Sequence, residues 1–291
     1  MESTMADEEK WSLIIKPKRK LLDLQIRELI HYRDLIFLFV KRDFVTQYKQ
    51  TILGPLWFVI NPLISTVMYT FVFGRLANIG TDGIPYTLFY YSGAMLWTFF
   101  SGCFLDSSNV FINNVNVFGK VYFPRLVVPI NYVFSNSIRI LVQFAMLLVF
   151  LVYHLFIGSR VPEVRVQPSW FAFLFPLIVV WLAAIGVGAG IIVSSLTTKY
   201  RDLRQLVTFA INLVMYAAPV VYPLSEIPQR FRWVAYANPI CAPIELFRLW
   251  FFGAASVDMN MIFISLGITV FLVITGLILF SQNEQNFIDV V

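Results

Sequence analysis

The chain has 291 residues, of which 58% are apolar, 17% aromatic and only 13% charged. Soluble proteins contain about 45–50% apolar and about 25% charged residues, so this composition excludes a soluble globule. The aromatic content excludes a disordered chain, and the net charge of +5 is unevenly distributed along the sequence. The chain is therefore expected to be an integral membrane protein. Its two cysteines, Cys103 and Cys241, form neither a disulfide framework nor a metal-ligand pattern.

Residues 1–50 are predicted to form a cytoplasmic N-terminal segment that contains an amphipathic interfacial helix. From residue 21 to residue 50, apolar side chains recur every three or four positions, with charged residues between them. A helix with so many charges cannot cross a bilayer, so we expect it to lie along the membrane surface. It can rest on the lipid or pack against the ends of the spans, and the pattern favours neither. No secretory signal is expected, because about fifty mixed residues precede the first long apolar stretch.

Residues 51–291 are predicted to form an all-α transmembrane domain with six membrane-spanning helices. A span needs about 20 apolar residues, and six stretches reach or approach this length. They cover residues 52–73, 86–113, 126–157, 171–196, 206–222 and 261–280. The second stretch contains Asp106 near its end, and Arg139 interrupts the third.

The basic residues predict the orientation of these spans. Fifteen Lys and Arg residues lie before the first span or in the connections after the second and fourth spans, whereas six lie on the opposite side. Because basic residues are enriched on the cytoplasmic side of membrane proteins, we expect both termini to be cytoplasmic.

The segment before the last span, residues 219–252, contains five prolines and only short apolar runs. The prolines forbid one continuous helix, and the runs are too short to cross a bilayer. We expect a re-entrant hairpin of two short helices at about residues 223–252, dipping into the outer leaflet where protein or water covers its backbone. An ordinary external loop is the alternative.

Several classes of active site are poorly supported by the sequence. Neither histidine, His31 or His154, has a carboxylate or a cysteine at ligand spacing, so no metal site is expected. The spans contain no paired carboxylates for a proton relay, and the sequence contains no phosphate-binding loop with Lys followed by Ser or Thr. We therefore expect no catalytic residue, no metal and no cofactor on this chain.

Two charged residues, Asp106 and Arg139, lie nearest to the membrane interior. Burial of either charge without a partner is costly, so each must face protein or water. They either line a hydrophilic conduit or pair with each other or with nearby amides.

The fourth span carries small residues at four-residue spacing, including Gly186 and Gly190, which permit close packing against another helix of this chain or of a second copy.

Short motifs along the chain carry a family resemblance. They are RDL at 33–35, VKRD at 40–43, QYKQTILGPLW at 47–57, NP at 61–62, VFGR at 72–75, YRD at 200–202, NP at 238–239 and FIDVV at 287–291. From about Tyr32 onward, the chain resembles the membrane subunits of polysaccharide-exporting ABC transporters of the ABC-2 type. Members of that family export lipid-linked O antigen, capsule or teichoic acid precursors, as two copies of this subunit with two copies of a separate ATPase. Residues 1–30 exceed the family's usual length.

The resemblance implies roles for particular segments. Residues 34–49 correspond to the interfacial helix, and Leu53 and Gly54 to a loop near the glycan entrance. Residues 113–123 and 199–202 correspond to contacts with the ATPase, and residues 223–252 to the re-entrant helices at the exit. The implied ATPase contacts are Asn113, Lys120, Phe123, Lys199, Tyr200, Arg201 and Asp202.

Tyrosines near membrane depth combine an aromatic face with a hydroxyl, which suits the faces of sugars. We predict that Tyr69, Tyr90 and Tyr216 line a glycan conduit, together with Asp106 and Arg139. Weak stacking on such a wall would let successive sugars bind and move on.

The sequence thus predicts the permease subunit of an ATP-driven exporter of lipid-linked polysaccharide. We expect a homodimer in the bacterial inner membrane, with ATP and Mg on a partner ATPase and no nucleic-acid partner. One alternative is a permease of the same fold for a small amphiphile or lipid, and a weaker one is a membrane scaffold. A membrane-embedded glycosyl or acyl transferase would need clusters of acids, bases or nucleophiles that the sequence lacks.

Overall fold

The computed structural model describes residues 31–49, 51–118, 123–156, 166–199, 202–255 and 257–288. Across these ranges the chain is all-helical, as the sequence predicts, and contains no strand. The α-helices are α1 (Arg33–Tyr48), α2 (Trp57–Tyr69), α3 (Tyr86–Ser108), α4 (Val110–Asn113), α5 (Val115–Phe118), α6 (Val127–Phe156), α7 (Phe175–Lys199), α8 (Leu203–Val214), α9 (Arg232–Ala237), α10 (Cys241–Phe252) and α11 (Met259–Ile288).

Within the described residues, five helical segments are long and apolar enough to cross a membrane. They are Gly54–Leu76 around α2, Tyr86–Ser108, Val127–Phe156, Trp170–Ser195 around α7, and Met259–Gln282 in α11. The predicted span at residues 206–222 corresponds to a shorter apolar helix, Leu203–Ala217, which contains α8. That helix stops because Ala218, just before Pro219, is extended. Among the described residues five helices are therefore candidate spans, and the predicted count of six is not confirmed.

The helix predicted at residues 86–113 ends earlier, at Ser108. The side chains of Ser108 and Asn109 both donate hydrogen bonds to the carbonyl oxygen of Leu105, each over 2.8 Å. Bonds of this kind compete with the backbone pattern of a helix. Asn109 has left the helical conformation, with φ −112° and ψ 14°. The chain then continues as the short helices α4 and α5.

Helix α3 lies at the centre of the bundle, where most of its residues are buried against α7, α6 and α2. Glycines of α7 allow the closest approaches. A Cβ atom at Gly190 would lie 2.5 Å from the carbonyl oxygen of Phe104 in α3, and one at Gly188 would lie 2.9 Å from the carbonyl carbon of Leu272 in α11. Of the two partners that the sequence left open for this small-residue helix, the structure shows helices of the same chain.

Helix α1 packs on the bundle and contacts α6. Phe39 is buried in a cluster with Phe118, Phe123 and Phe280, and its ring centre lies 5.8 Å from that of Phe123. On the opposite side of α1, Phe37 is exposed. Contact with the bundle is therefore observed for residues 33–48, and the position of this helix at the membrane surface stays a prediction. The part of the prediction at residues 21–30 lies outside the described residues.

The proline-rich segment forms two short helices, α9 and α10, preceded by two single turns of 3-10 helix. Nearly every residue of α10 is buried, and this helix packs against α3, α7 and α11. Ser265 of α11 donates a hydrogen bond to the carbonyl oxygen of Pro239, between α9 and α10, over 2.6 Å. The pair of short helices is therefore present, whereas its re-entrant depth in a bilayer stays a prediction.

Candidate functional site

The structure brings two of the three predicted conduit tyrosines together. The ring centres of Tyr69 on α2 and Tyr90 on α3 lie 6.2 Å apart. The hydroxyl of Tyr69 donates to the sulfur of Met215 over 3.5 Å, and Met215 directly precedes Tyr216. In the single chain Tyr90 is fully buried, Tyr69 is half-buried and Tyr216 is 50% exposed.

The hydroxyl of Tyr90 is buried and has no hydrogen-bond partner among the described residues. The ring of Tyr90 also stacks on Tyr86, with 6.2 Å between ring centres and an interplanar angle of 8°. A buried hydroxyl without a partner is costly, and such groups in native proteins have a specific cause, such as an ordered water, an ion or a functional role. Tyr69, Tyr86 and Tyr90, with Tyr216 nearby, form a tyrosine cluster that combines aromatic faces with the unpaired hydroxyl of Tyr90. The place of this cluster on a glycan conduit stays a prediction.

A single amide joins the two charged residues of the predicted conduit. The Nδ2 atom of Asn136 on α6 donates to Asp106 Oδ2 over 2.8 Å, and Arg139 Nη1 donates to Asn136 Oδ1 over 3.1 Å. Gly102 on α3 makes this possible, because a Cβ atom there would lie 2.5 Å from Asn136 Oδ1. Pairing with a neighbouring amide, one of the two interpretations of these charges, is thus observed, and their place on a conduit wall stays a prediction.

The same helix also holds the end of α1. Asn131 Nδ2 donates to Asp43 Oδ2 over 2.7 Å, and Asp43 pairs in turn with Arg42 over 2.7 Å. Two turns further along α6, Arg139 donates to the side-chain oxygen of Gln47. Polar side chains of α6 therefore connect α1 to the bundle by hydrogen bonds.

The predicted entrance residues, Leu53 and Gly54, connect α1 to the first span. Leu53 is exposed, and Gly54 has φ +50°, a left-handed conformation that favours glycine. Pro55 follows in a turn of 3-10 helix that leads into α2. The connection is therefore a sharp turn, and its contact with a glycan stays a prediction.

The predicted ATPase contacts that the structure describes lie on either side of α5 and between the end of α7 and the start of α8. Asn113 is exposed at the end of α4, whereas Phe123 is buried against Phe39. Asp202 is exposed, and its carboxylate accepts a hydrogen bond from the backbone N–H of Leu203 over 3.1 Å, which caps α8. Lys199 is the last residue of α7. Lys120, Tyr200 and Arg201 lie outside the described residues.

A buried ion pair in α10 was not predicted from the sequence. Arg248 Nη1 lies 3.0 Å from Glu245 Oε1, and the two side chains are only 1% and 2% exposed. Arg248 Nη2 also donates to the carbonyl oxygen of Val220 over 3.3 Å. Arg248 is one of the six basic residues that the charge count places opposite the fifteen on the predicted cytoplasmic side. The signal that could have located the pair is the spacing of opposite charges three residues apart within an apolar run.

A polar pair fixes α9 to the start of α11. The hydroxyl of Tyr236 donates to Asp258 Oδ2 over 2.7 Å, and the backbone N–H of Asn260 donates to the other carboxylate oxygen over 3.1 Å. The bond from Tyr236, and then that from Asn260, hold the pKa of Asp258 below its usual value.

Among the groups of His, Cys, Asp and Glu that the structure describes, none has the arrangement of a metal site.

Comparison with known proteins identifies the family. The model of the family described as ABC-2 type transporter matches residues 34–252. An O-antigen export system permease protein RfbA from Klebsiella pneumoniae is 30% identical over 258 residues, covering 88% of this chain and 95% of the relative. The protein of the same name from Myxococcus xanthus is 24% identical over 266 residues, covering 91% of this chain and 98% of the relative.

A more distant relative is the capsule polysaccharide export inner-membrane protein CtrC of Neisseria meningitidis serogroup A. It is 21% identical over 241 residues, covering 78% of this chain and 83% of the relative. The family match covers most of the chain, and the described helices include several that can span a membrane. This multi-pass membrane protein therefore belongs to the ABC-2 type transporter family and is a transport subunit.

Proposed function

We propose that the chain is the permease subunit of an ATP-driven exporter that moves a lipid-linked polysaccharide, such as O antigen, from the cytoplasm across the bacterial inner membrane. One observation carries this proposal: 30% identity, over 88% of the chain, to a protein named as an O-antigen export permease. The capsule export relative supports a polysaccharide cargo at greater distance.

The proposed transporter contains two copies of this chain and two copies of a separate ATPase, which would bind ATP and Mg. Both termini are proposed to lie in the cytoplasm, because more basic residues lie on the side of the termini than on the opposite side of the predicted spans. The ATPase would dock at residues 113–123 and 199–202. The exposure of Asn113 and Asp202 is compatible with this contact.

Within the permease, the proposed glycan path follows the tyrosine cluster. Tyr216 would present an exposed ring, Tyr69 would extend the aromatic surface behind it, and Tyr90 would supply its unpaired hydroxyl. Aromatic faces stack on sugars, and hydroxyls exchange hydrogen bonds with them. The network of Asp106, Asn136 and Arg139 would border the same path nearer the entrance.

Deletion of the gene tests this proposal in the native bacterium. We expect surface polysaccharide to disappear while lipid-linked polysaccharide accumulates inside the cell, and a plasmid copy should restore export. A strain in which the Walker A lysine of the proposed partner ATPase is replaced should show the same accumulation. Normal surface polysaccharide in the deletion strain, with loss of a small amphiphile or lipid instead, would contradict the polysaccharide cargo.

A further inference from the structure

We propose that Arg139 and Gln143 of α6 are positioning residues for the entrance loop, and that Asn136 fixes the orientation of Arg139. This inference rests on the proposed function only for the role of Leu53 and Gly54 as an entrance. The geometry that supports it concerns the two flanks of that loop, both of which are held by one face of α6.

On the N-terminal side of the loop, the contact is made by Arg139. Its Nη2 atom donates to the side-chain oxygen of Gln47, in the last turn of α1. Leu53 follows Gln47 by six positions, so this bond holds the chain shortly before the loop begins.

On the C-terminal side, the contact is made by Gln143, one helical turn after Arg139. Its Nε2 atom donates to the backbone carbonyl oxygen of Phe58 in α2 over 3.0 Å. The guanidinium carbon of Arg139 also lies 5.8 Å from the centre of the Phe58 ring, close enough for a cation–π contact. Gln143 is itself 3% exposed, so its bond is shielded from water.

Both positioning residues are supported by α3. The hydroxyl of Tyr91 donates to the backbone oxygen of Gln143 over 3.2 Å. Asn136 accepts from Arg139 while donating to Asp106 and to the backbone oxygen of Tyr132, over 2.8 and 2.9 Å. The amide of Asn136 is therefore held from several sides, and the guanidinium group has little freedom to rotate. The central helix thus determines the position of the face that holds the loop.

This arrangement also connects the loop to the proposed ATPase contacts. Phe39 of α1 packs on Phe123, and Phe123 packs on Phe118 with 5.8 Å between their ring centres. A displacement of this aromatic cluster by a docked ATPase would therefore act on α1, and through Gln47 and Arg139 on the loop and on α6 together.

The test measures how often the loop detaches. Inverted membrane vesicles containing the permease and its ATPase are treated with trypsin, which can cleave after the exposed Lys49, and the products are identified by mass spectrometry. Cleavage of a transiently open segment follows the population of the open state. The variants are Arg139→Lys, which keeps the charge but loses the forked donor, and Gln143→Leu. Each variant loses at least one hydrogen bond, so the cleavage rate at Lys49 should rise about two- to tenfold.

Two exposed residues provide matched controls. Arg75→Lys and Gln205→Leu make the same chemical changes on other elements, and they should leave cleavage at Lys49 unchanged. Cleavage at the exposed Arg204 of α8 should also stay unchanged in Arg139→Lys, Gln143→Leu and Arg75→Lys, which separates loop detachment from general loosening of the chain. If Gln143→Leu does not insert into the membrane, the conservative Arg139→Lys decides the result.

An unchanged cleavage rate at Lys49 in the variants that insert would overturn the inference, and so would an equal rise at Lys49 and Arg204. Export of lipid-linked polysaccharide is measured on the same vesicles. Absence of export by the parent complex would count against the proposed function, while the cleavage rates would still decide whether α6 positions the loop.

Discussion

The guanidinium carbon of Arg248 lies 3.6 Å from the centre of the Phe89 ring, inside the core of the chain. Arg248 also pairs with Glu245 in its own helix and donates to the backbone oxygen of Val220. This side chain thereby joins α10, α3 and the segment that follows α8. Gly93 allows the close approach, because a Cβ atom there would lie 2.7 Å from the oxygen of Val220.

Arg248→Met is expected to destabilise the protein strongly, because it leaves the carboxylate of Glu245 buried without its partner. Breaking a buried pair costs about 3–5 kcal/mol, whereas replacing both partners by apolar residues is often neutral or stabilising. The double variant Glu245→Leu with Arg248→Met should therefore unfold at a higher temperature than the single variant. Thermal unfolding in detergent measures both, and equal unfolding temperatures for the two would show that charge pairing is not the cause.

Gly190→Ala is expected to lower the free energy of unfolding by about 1–3 kcal/mol, because the added methyl group meets the backbone of α3. Gly267→Ala in α11 is the matched control, since its Cβ atom would have no neighbour within 4 Å. Thermal unfolding in detergent compares the two variants. A Gly190 variant as stable as the Gly267 variant would mean that α7 and α3 do not pack this closely.

The positions of the long spans could be predicted because a long stretch without charged residues is typical of a helix that crosses a membrane. The end of α3 could not, since Ser108 and Asn109 are compatible with a helix by composition, and only their bonds to Leu105 reveal the break. The packing partners of Gly188 and Gly190 could not be predicted either, because small residues have the same spacing in contacts within a chain and between chains.

The candidate site was predictable in part. Asp106 and Arg139 were recognisable as charges that need partners, and Asn136 was one of several amides within reach. The choice among those amides depends on the space that Gly102 leaves on a different helix. Burial of Glu245 and Arg248 could not be predicted, because a proline-rich segment with charges is typical of an external loop. The structure instead buries nearly every residue of α10.

Asp202→Asn and Asp202→Ala separate two roles of this carboxylate. Asn caps a helix about as well as Asp, so Asp202→Asn keeps the cap of α8 and removes only the charge. If Asp202 pairs with a basic residue of the ATPase, both variants should reduce co-purification of the ATPase by up to about fivefold. Co-purification that is normal for Asp202→Asn but reduced for Asp202→Ala would assign the effect to the cap alone.

Tyr216→Ala and Tyr90→Phe test the aromatic wall. Tyr216 is exposed in the single chain, so its loss should leave thermal stability near that of the parent while export of a long glycan falls. Tyr90→Phe removes only the hydroxyl, and loss of one hydrogen bond to a moving sugar should slow export about fivefold. Tyr153→Ala, on the exposed surface of α6, is the control. Normal export by both test variants would remove these tyrosines from the glycan path.

The proposed activity of this permease is the movement of polysaccharide when a partner hydrolyses ATP. The most direct measurement reconstitutes the permease and its ATPase in proteoliposomes with a lipid-linked glycan, and follows the glycan with a lectin that is enclosed in the lumen. With ATP supplied outside, we expect lectin-accessible glycan that increases with time, and none with a non-hydrolysable ATP analogue. Glycan that stays inaccessible while ATP is hydrolysed at the normal rate would contradict the proposed function.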